Sequence, residues 1–186
     1  MDTKWTTRAS RTVIRDRWIN LRADDCLTAS GHEVAPFYVL DYPDWVHVVA
    51  ITAADELVLV RQYRHGAGDV FLELPAGTVD AGDGDPAEAA RRELEEETGY
   101  RAAALQLVTS LYANPGNQTN RVHTYLALDV EPTGERKLDT AEEGMSVHLM
   151  SVGEVLAGLP GGLLKESLNV ASLFMALSAA GRVVAS

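Results

Sequence analysis

Cysteine is almost missing from this chain of 186 residues: Cys26 stands alone. No disulfide can therefore form within one chain, which fits a reducing compartment. Cys26 itself reads as a small buried hydrophobe. The chain also lacks any apolar run of about eighteen residues, the length that a membrane span needs. Its opening MDTKWTTRASRT has no apolar stretch of the secretory kind. Cytoplasmic location, with no membrane partner, is the expectation. Basic residues are scarce, 16 Lys and Arg against 27 Asp and Glu, for a formal net charge of −11. So acidic a surface is a poor match to a nucleic-acid backbone. An anionic substrate would need local relief from metal ions and a few arginines. No internal repeat or low-complexity tract is visible. Hydrophobic residues make up 46%, enough for a folded core.

The first 41 residues read as short strands, over Trp5–Ile14, Trp18–Thr28 and Glu33–Leu40, with Gly31 at a turn. Asp41 to Asp44 is a plausible joint. The division expected is 1–42 as an N-terminal β segment and 43–186 as the main domain. Val46–Thr52 is an apolar run suited to a buried strand, and Leu57–Tyr63 returns as the second arm of a hairpin. Phe71–Leu74 is a short strand leading to a Pro75-Ala76-Gly77 turn. Further strands are expected over Ala104–Tyr112, Val122–Val130 and Ser146–Met150, with a polar loop over Pro132–Thr140. Ser151 opens a short helix that ends by Gly158–Gly162. A last helix spans Glu166–Ala180, with Leu168, Ala171, Leu173, Phe174 and Leu177 as its core side. Strands with helices on their faces make an α/β sandwich.

One helix looks electrostatically wrong unless it holds a cation. Asp85 is a good N-cap, Pro86 suits the first helical position, and Gly99 is a natural stop. Glu88 completes a capping-box-like pattern. The helix runs from about Pro86 to Thr98, and its last turns carry Glu93, Glu95, Glu96 and Glu97. Spacings of three and four place Glu93, Glu96 and Glu97 on one face, where like charges repel and oppose the helix dipole. A solvated acidic face, partly offset by Arg91 and Arg92, is one reading. A site for a hard divalent cation such as Mg²⁺ is the other, because such ions take oxygen ligands and bridge carboxylates to phosphates.

The order of residues decides between them. Gly77 opens the stretch, and Arg92-Glu93-Leu94-Glu95-Glu96-Glu97-Thr98-Gly99-Tyr100 closes it. This resembles the Nudix box, over residues 77–100. The spacing from Gly77 to Arg92 is one residue longer than the family pattern. The lone Glu of the box is missing, and Asp83 is its stand-in. In the family that Glu braces the loop. The resemblance implies an α/β/α sandwich of Nudix type, with a mixed central sheet and a small N-terminal β subdomain. It implies metal ligation by Glu93 and Glu97, with Glu96 sharing or bridging, and by the main-chain carbonyl of Ala76. Mg²⁺ is the expected ion, with Mn²⁺ as a substitute. Arg92 is expected to orient the glutamates through a pair with Glu96, and Glu95 to be solvated.

The flanking residues narrow the family. Arg61-Gln62-Tyr63-Arg64 followed by Glu73-Leu74-Pro75-Ala76-Gly77 is similar to the branch that cleaves ADP-ribose and nucleoside diphosphate sugars. Arg64 would hold the diphosphate as a fork of donors. Arg61 is either a second such contact or a surface charge. Glu73 would accept from a ribose hydroxyl or hold Arg64. The loop from Asn114 to Arg121 resembles the branch's Ser-Pro-Gly loop, with Asn120 where many relatives carry Glu. Asn120 can still bind a sugar but cannot act as a base. In the branch the general base comes from a mobile loop before a Val-His strand. Here that loop is 138–144, ahead of Val147-His148, so Glu143 is the first choice and Glu142 the second. Glu96 could serve instead. His47, His123 and His148 read as packed or surface residues. Trp5, Trp18, Phe37, Tyr38 and Trp45 are candidates to sandwich an adenine ring. The resemblance also implies a homodimer in which the N-terminal region helps build a shared base site.

The expected activity is metal-dependent hydrolysis of ADP-ribose to AMP and ribose 5-phosphate. A Nudix enzyme acting on nucleoside triphosphates or another sugar nucleotide is one rival. A non-catalytic ADP-ribose sensor is another, and the intact Arg-Glu-x-x-Glu-Glu speaks against it.

Overall fold

The computed structural model describes residues 3–183, which form two compact units. The first holds the chain up to Pro43 together with Tyr112–Arg121. Its strands β1 (Thr6–Arg15), β2 (Asn20–Leu27) and β3 (Glu33–Leu40) make an antiparallel sheet in that order. Polar side chains tie it together. Ser10 donates to Asp24 at 2.6 Å, and Arg22 pairs with Asp24 at 3.1 Å and Asp41 at 3.0 Å. Cys26 is buried here. β1, by contrast, is exposed at every position. The segment 112–121 joins this unit through the backbone: Leu40 N–H reaches Asn117 O at 2.8 Å, and Thr119 N–H reaches Leu40 O at 3.2 Å. That segment arrives from a distant part of the chain.

The second unit comprises Asp44–Leu111 and the chain from Val122 onward. Its strands are β4 (Trp45–Ile51), β5 (Glu56–Arg64), β6 (Asp69–Glu73), β7 (Ala76–Thr78), β8 (Tyr100–Arg101), β9 (Gln106–Tyr112), β10 (Arg121–Leu128), β11 (Glu131–Pro132) and β12 (Ser146–Ser151). Its helices are α1 (Pro86–Glu93), α2 (Val152–Gly158) and α3 (Ser167–Ala179). The main sheet runs β12-β5-β4-β10-β9. It is mixed, since β4 and β10 are parallel while β5 pairs antiparallel with both β4 and β12.

Both faces of this sheet are covered. On one side Val46, Val48, Ala50, Val58, Tyr125 and Ala127 meet Ala89 and Ala90 of α1 and the following Leu94. On the other, Val49, Ile51, Leu57, Leu59 and Leu126 meet Val155 of α2 and Leu173, Ala176 and Leu177 of α3. Two-sided burial is why β4 is a continuous apolar run rather than an alternating one. Fully burying each Val or Leu is worth roughly 1.5–3 kcal/mol. The result is an α/β/α sandwich, and no described helix is long and apolar enough to cross a membrane.

Three local expectations need correction. The Pro75-Ala76-Gly77 turn is followed at once by a strand, because Ala76, Gly77 and Thr78 pair with His47, Val46 and Trp45. The inward stripe of α3 is Asn169, Ser172, Leu173, Ala176 and Leu177, while Ala171 and Phe174 face outward. Two polar residues in that stripe disguise it in the sequence. Finally, the helix expected to Thr98 is α-helical only to Glu93 and widens into a π-type turn over Leu94–Thr98. Thr98 Oγ1 donates back to the Leu94 carbonyl within that turn. Gly99, at φ 69°, ends it.

Beyond Ile51↔Leu57, where β4 is in register with β5, the two strands take different partners. β4 continues with β7, and β5 continues with β6. The chain crosses from one arm to the other through Leu74 and Pro75, with Val48 N–H donating to Pro75 O at 2.9 Å. The opening leaves a cleft of about 520 Å³.

Candidate active site

The site starts with how α1 ends. Asp85 caps its start, accepting from the amides of Ala87 and Glu88, with Pro86 at the first position. The last carbonyls of the π-type turn would be orphans. A distant segment satisfies them. Lys137 N–H donates to Glu96 O at 2.9 Å, and Arg136 Nε to Glu97 O at 2.6 Å. Thr133 donates to Gly99 O from both its amide and its hydroxyl. π-type turns recur at functional sites; this one begins immediately after Glu93 and carries Glu96 and Glu97.

Glu93 and Glu97 are 8% and 3% exposed. Glu97 accepts from Ala76 N–H at 2.9 Å, which ties β7 to the glutamate face. Burial pushes the Glu93 carboxyl up to about 7 against the pull of Arg92. Burial likewise drives Glu97 well above the usual range, against its bond from Ala76. Glu142 completes the group. One carboxylate oxygen from each of Glu93, Glu97 and Glu142 lies within 4.8 Å of the others. Hard oxygen donors so gathered, two of them out of water, fit a divalent cation, whose charge would keep them ionised.

Arg92 braces this arrangement. It donates to Glu93 Oε1 at 2.7 Å, Glu96 Oε2 at 3.4 Å, Thr78 O at 3.1 Å and Asp83 Oδ2 at 3.1 Å. Asp83 also accepts from Asp80 N–H at 2.8 Å. The stand-in carboxylate thus braces the loop through Arg92. Gly77 is needed for space rather than for its dihedral angles: a Cβ there would collide with the Glu93 carboxylate. Glu95 pairs with Arg101 at 2.8 Å.

The structure separates the remaining candidates. Glu96 stands outside the converging group, held by Arg92. Glu143, expected first as the base, is exposed, whereas Glu142 is half-buried beside Glu93 and Glu97. Arg64 grips Glu73 from Nε at 3.1 and 3.0 Å and from Nη2 at 2.8 Å. Glu73 is buried, and both residues line the cleft together with Trp45, Ala76 and Gly77. Arg61 is exposed and, three residues from Arg64 on the same strand, points to the other face of the sheet. Asn120 belongs to the first unit. It is 1% exposed, and neither atom of its side-chain amide has a partner among the described residues.

Other residues of the site escaped sequence reasoning. Arg136 sits in a loop with no periodic signal. Glu166 and Asn169 line the cleft, together with His47, which is packed as expected. The one available clue was polar: Asn169 and Ser172 fall among the apolar residues of the last helix, and buried polar groups need partners. Burial holds His47 neutral by pulling its pKa down to about 4.

Converging carboxylates next to an arginine fork, on an α/β/α sandwich, are groups that a hydrolase of acid anhydrides can use. The family model for the NUDIX domain matches residues 41–170, and that for the nucleoside diphosphate sugar hydrolase N-terminal domain matches residues 5–40. The chain belongs to the Nudix family, in the branch where these two domains occur together. It is 34% identical over 146 residues to an ADP-ribose pyrophosphatase of Bacillus subtilis, covering 77% of this chain and 78% of that one. It is 28% identical over 167 residues to an ADP-ribose pyrophosphatase of Mycobacterium tuberculosis, covering 90% and 80%. It is also 32% identical over 121 residues to a GDP-mannose pyrophosphatase of Cronobacter sakazakii, covering 61% and 62%. The crystal structure of an ADP compounds hydrolase superposes with a TM-score of 0.82 at 27% identity, covering 97% of each chain.

Proposed function

We propose that this protein hydrolyses the diphosphate of ADP-ribose or a related nucleoside diphosphate sugar, using Mg²⁺, with Mn²⁺ as a substitute. The products are a nucleoside monophosphate and a sugar phosphate; from ADP-ribose they are AMP and ribose 5-phosphate. The observation that carries this reading is the convergence of Glu93, Glu97 and Glu142 beside the Arg64–Glu73 pair. The relatives named as pyrophosphatases of ADP-ribose and GDP-mannose support it.

Glu93, Glu97 and the Ala76 carbonyl would hold the cation. When bound, it supplies neutralisation of the diphosphate charge and a more acidic attacking water. The chain's own residues do the rest. The guanidinium of Arg64, fixed by Glu73, binds diphosphate oxygens through its remaining donors. Glu142, near Glu93 and Glu97, would take the proton from water, the role expected first of Glu143. The water oxygen bonds to phosphorus as the anhydride P–O bond breaks, and the departing phosphate leaves as a stable anion. Arg92 keeps Glu93 and Glu96 in place. The protein acts as a homodimer through its N-terminal unit.

Glu97→Gln tests the reading. It keeps the side-chain volume and an acceptor for Ala76 N–H, so the fold and thermal melting should be retained. Divalent-metal-dependent release of AMP from ADP-ribose should disappear. Undiminished turnover in that variant would remove the mechanism.

A further inference from the structure

We propose that the cleft between the splayed arms of β4 and β5 is a sugar subsite, in which His47, Glu166 and Asn169 bind the hydroxyls of the sugar that leaves as its phosphate. This rests on the nucleoside diphosphate sugar reading above and adds to it the residues that choose the sugar. The cleft measures about 520 Å³ and adjoins Ala76 and Gly77, the strand next to the glutamate group. Its polar lining includes the Glu73 and Glu166 carboxylates, the Asn169 amide and the His47 imidazole beside Arg64, and its apolar lining includes Trp45 and Phe71. A sugar offers hydroxyl donors around its ring and a C–H face. Carboxylates and imidazole suit the former and aromatic rings the latter.

The polar groups are fixed before any ligand arrives. Asn169 Oδ1 accepts from Leu74 N–H at 2.6 Å, and its amide nitrogen donates to Glu166. His47 Nδ1 lies 2.9 Å from Ser172 Oγ, which accepts from Thr124 Oγ1 at 2.8 Å. With Nδ1 engaged by Ser172, Nε2 is the ring nitrogen of His47 left for a ligand. Arg64 stands at the same cleft, so a sugar phosphate would meet its phosphate partner and its hydroxyl partners in one place. Such pre-set geometry lowers the entropic cost of binding.

Isothermal titration of the full chain with ribose 5-phosphate and, separately, with AMP tests the assignment. The wild-type chain is compared with His47→Gln and with Glu166→Gln, a second variant that can still accept from Asn169. Each should weaken ribose 5-phosphate binding by about tenfold and leave AMP binding unchanged. Undiminished ribose 5-phosphate affinity in both folded variants, an equal loss for AMP, or no ribose 5-phosphate binding by the wild-type chain would overturn the proposal. Failure of the functional reading shows differently, as absent hydrolysis of ADP-ribose by the wild-type chain supplied with Mg²⁺ or Mn²⁺.

Discussion

At the scale of single residues, the site depends on close approaches as much as on charges. Gly77 lies in an extended strand that other residues could adopt, yet the Glu93 carboxylate occupies the space its side chain would need. Gly77→Ala should therefore leave the sheet paired but swing Glu93 away. Mn²⁺ affinity, read by titration, should fall about 10- to 100-fold, with little change in thermal melting. Unchanged affinity would mean that Glu93 is not a ligand. The acidic residues were legible because their spacing repeats a helical face. Which of them converge was not. Glu96 and Glu97 are adjacent in sequence, but Glu97 turns to Ala76 N–H while Glu96 turns to Arg92. Glu142 and Glu143 are likewise adjacent, and only Glu142 reaches the group. Neighbours in sequence point different ways, and the direction is set by groups that fold against them.

At the scale of elements, the segment between β11 and β12 does more than link two strands. Arg136 spans from Glu97 O at 2.6 Å to Met145 O at 3.1 Å, joining the end of the glutamate turn to the end of the loop that carries Glu142. Arg136→Ala should let that loop drift. The expected result is a kcat about tenfold lower with KM little changed. Faster amide exchange over residues 138–144 should accompany it. Arg136→Lys should not restore the rate, because a single ammonium cannot reproduce the planar fork that meets two carbonyls. A loss confined to KM would assign Arg136 to substrate binding instead. The elements themselves were largely readable. β4 declares itself by an unbroken apolar run, and α1 by Asp85, Pro86 and its periodic alanines. β7 was hidden because three residues beside a proline carry too little pattern to mark a strand.

At the scale of the molecule, β1 raises the question of what covers it. All ten of its residues are exposed, including Val13 at 41% and Ile14 at 50%, and among the described residues only β2 pairs with it. An open strand edge with apolar residues is a template for another chain. The homodimer proposed above predicts a solution mass of twice one chain by light scattering, and Ile14→Glu should shift it toward monomer. A wild-type chain that stays monomeric at every concentration would refute the dimer. The sequence by itself determined the start of the helix that leads to the glutamates, most of the strands beneath it and the kind of ligand that carboxylates favour. These follow from local periodicity, capping and residue type. Only the tertiary structure decided that 112–121 joins the N-terminal unit, that Glu142 and not Glu143 meets Glu93 and Glu97, and that β4 and β5 part to open a cleft. Those outcomes depend on hydrogen bonds and pairings between residues far apart in the chain, and no local pattern encodes their partners.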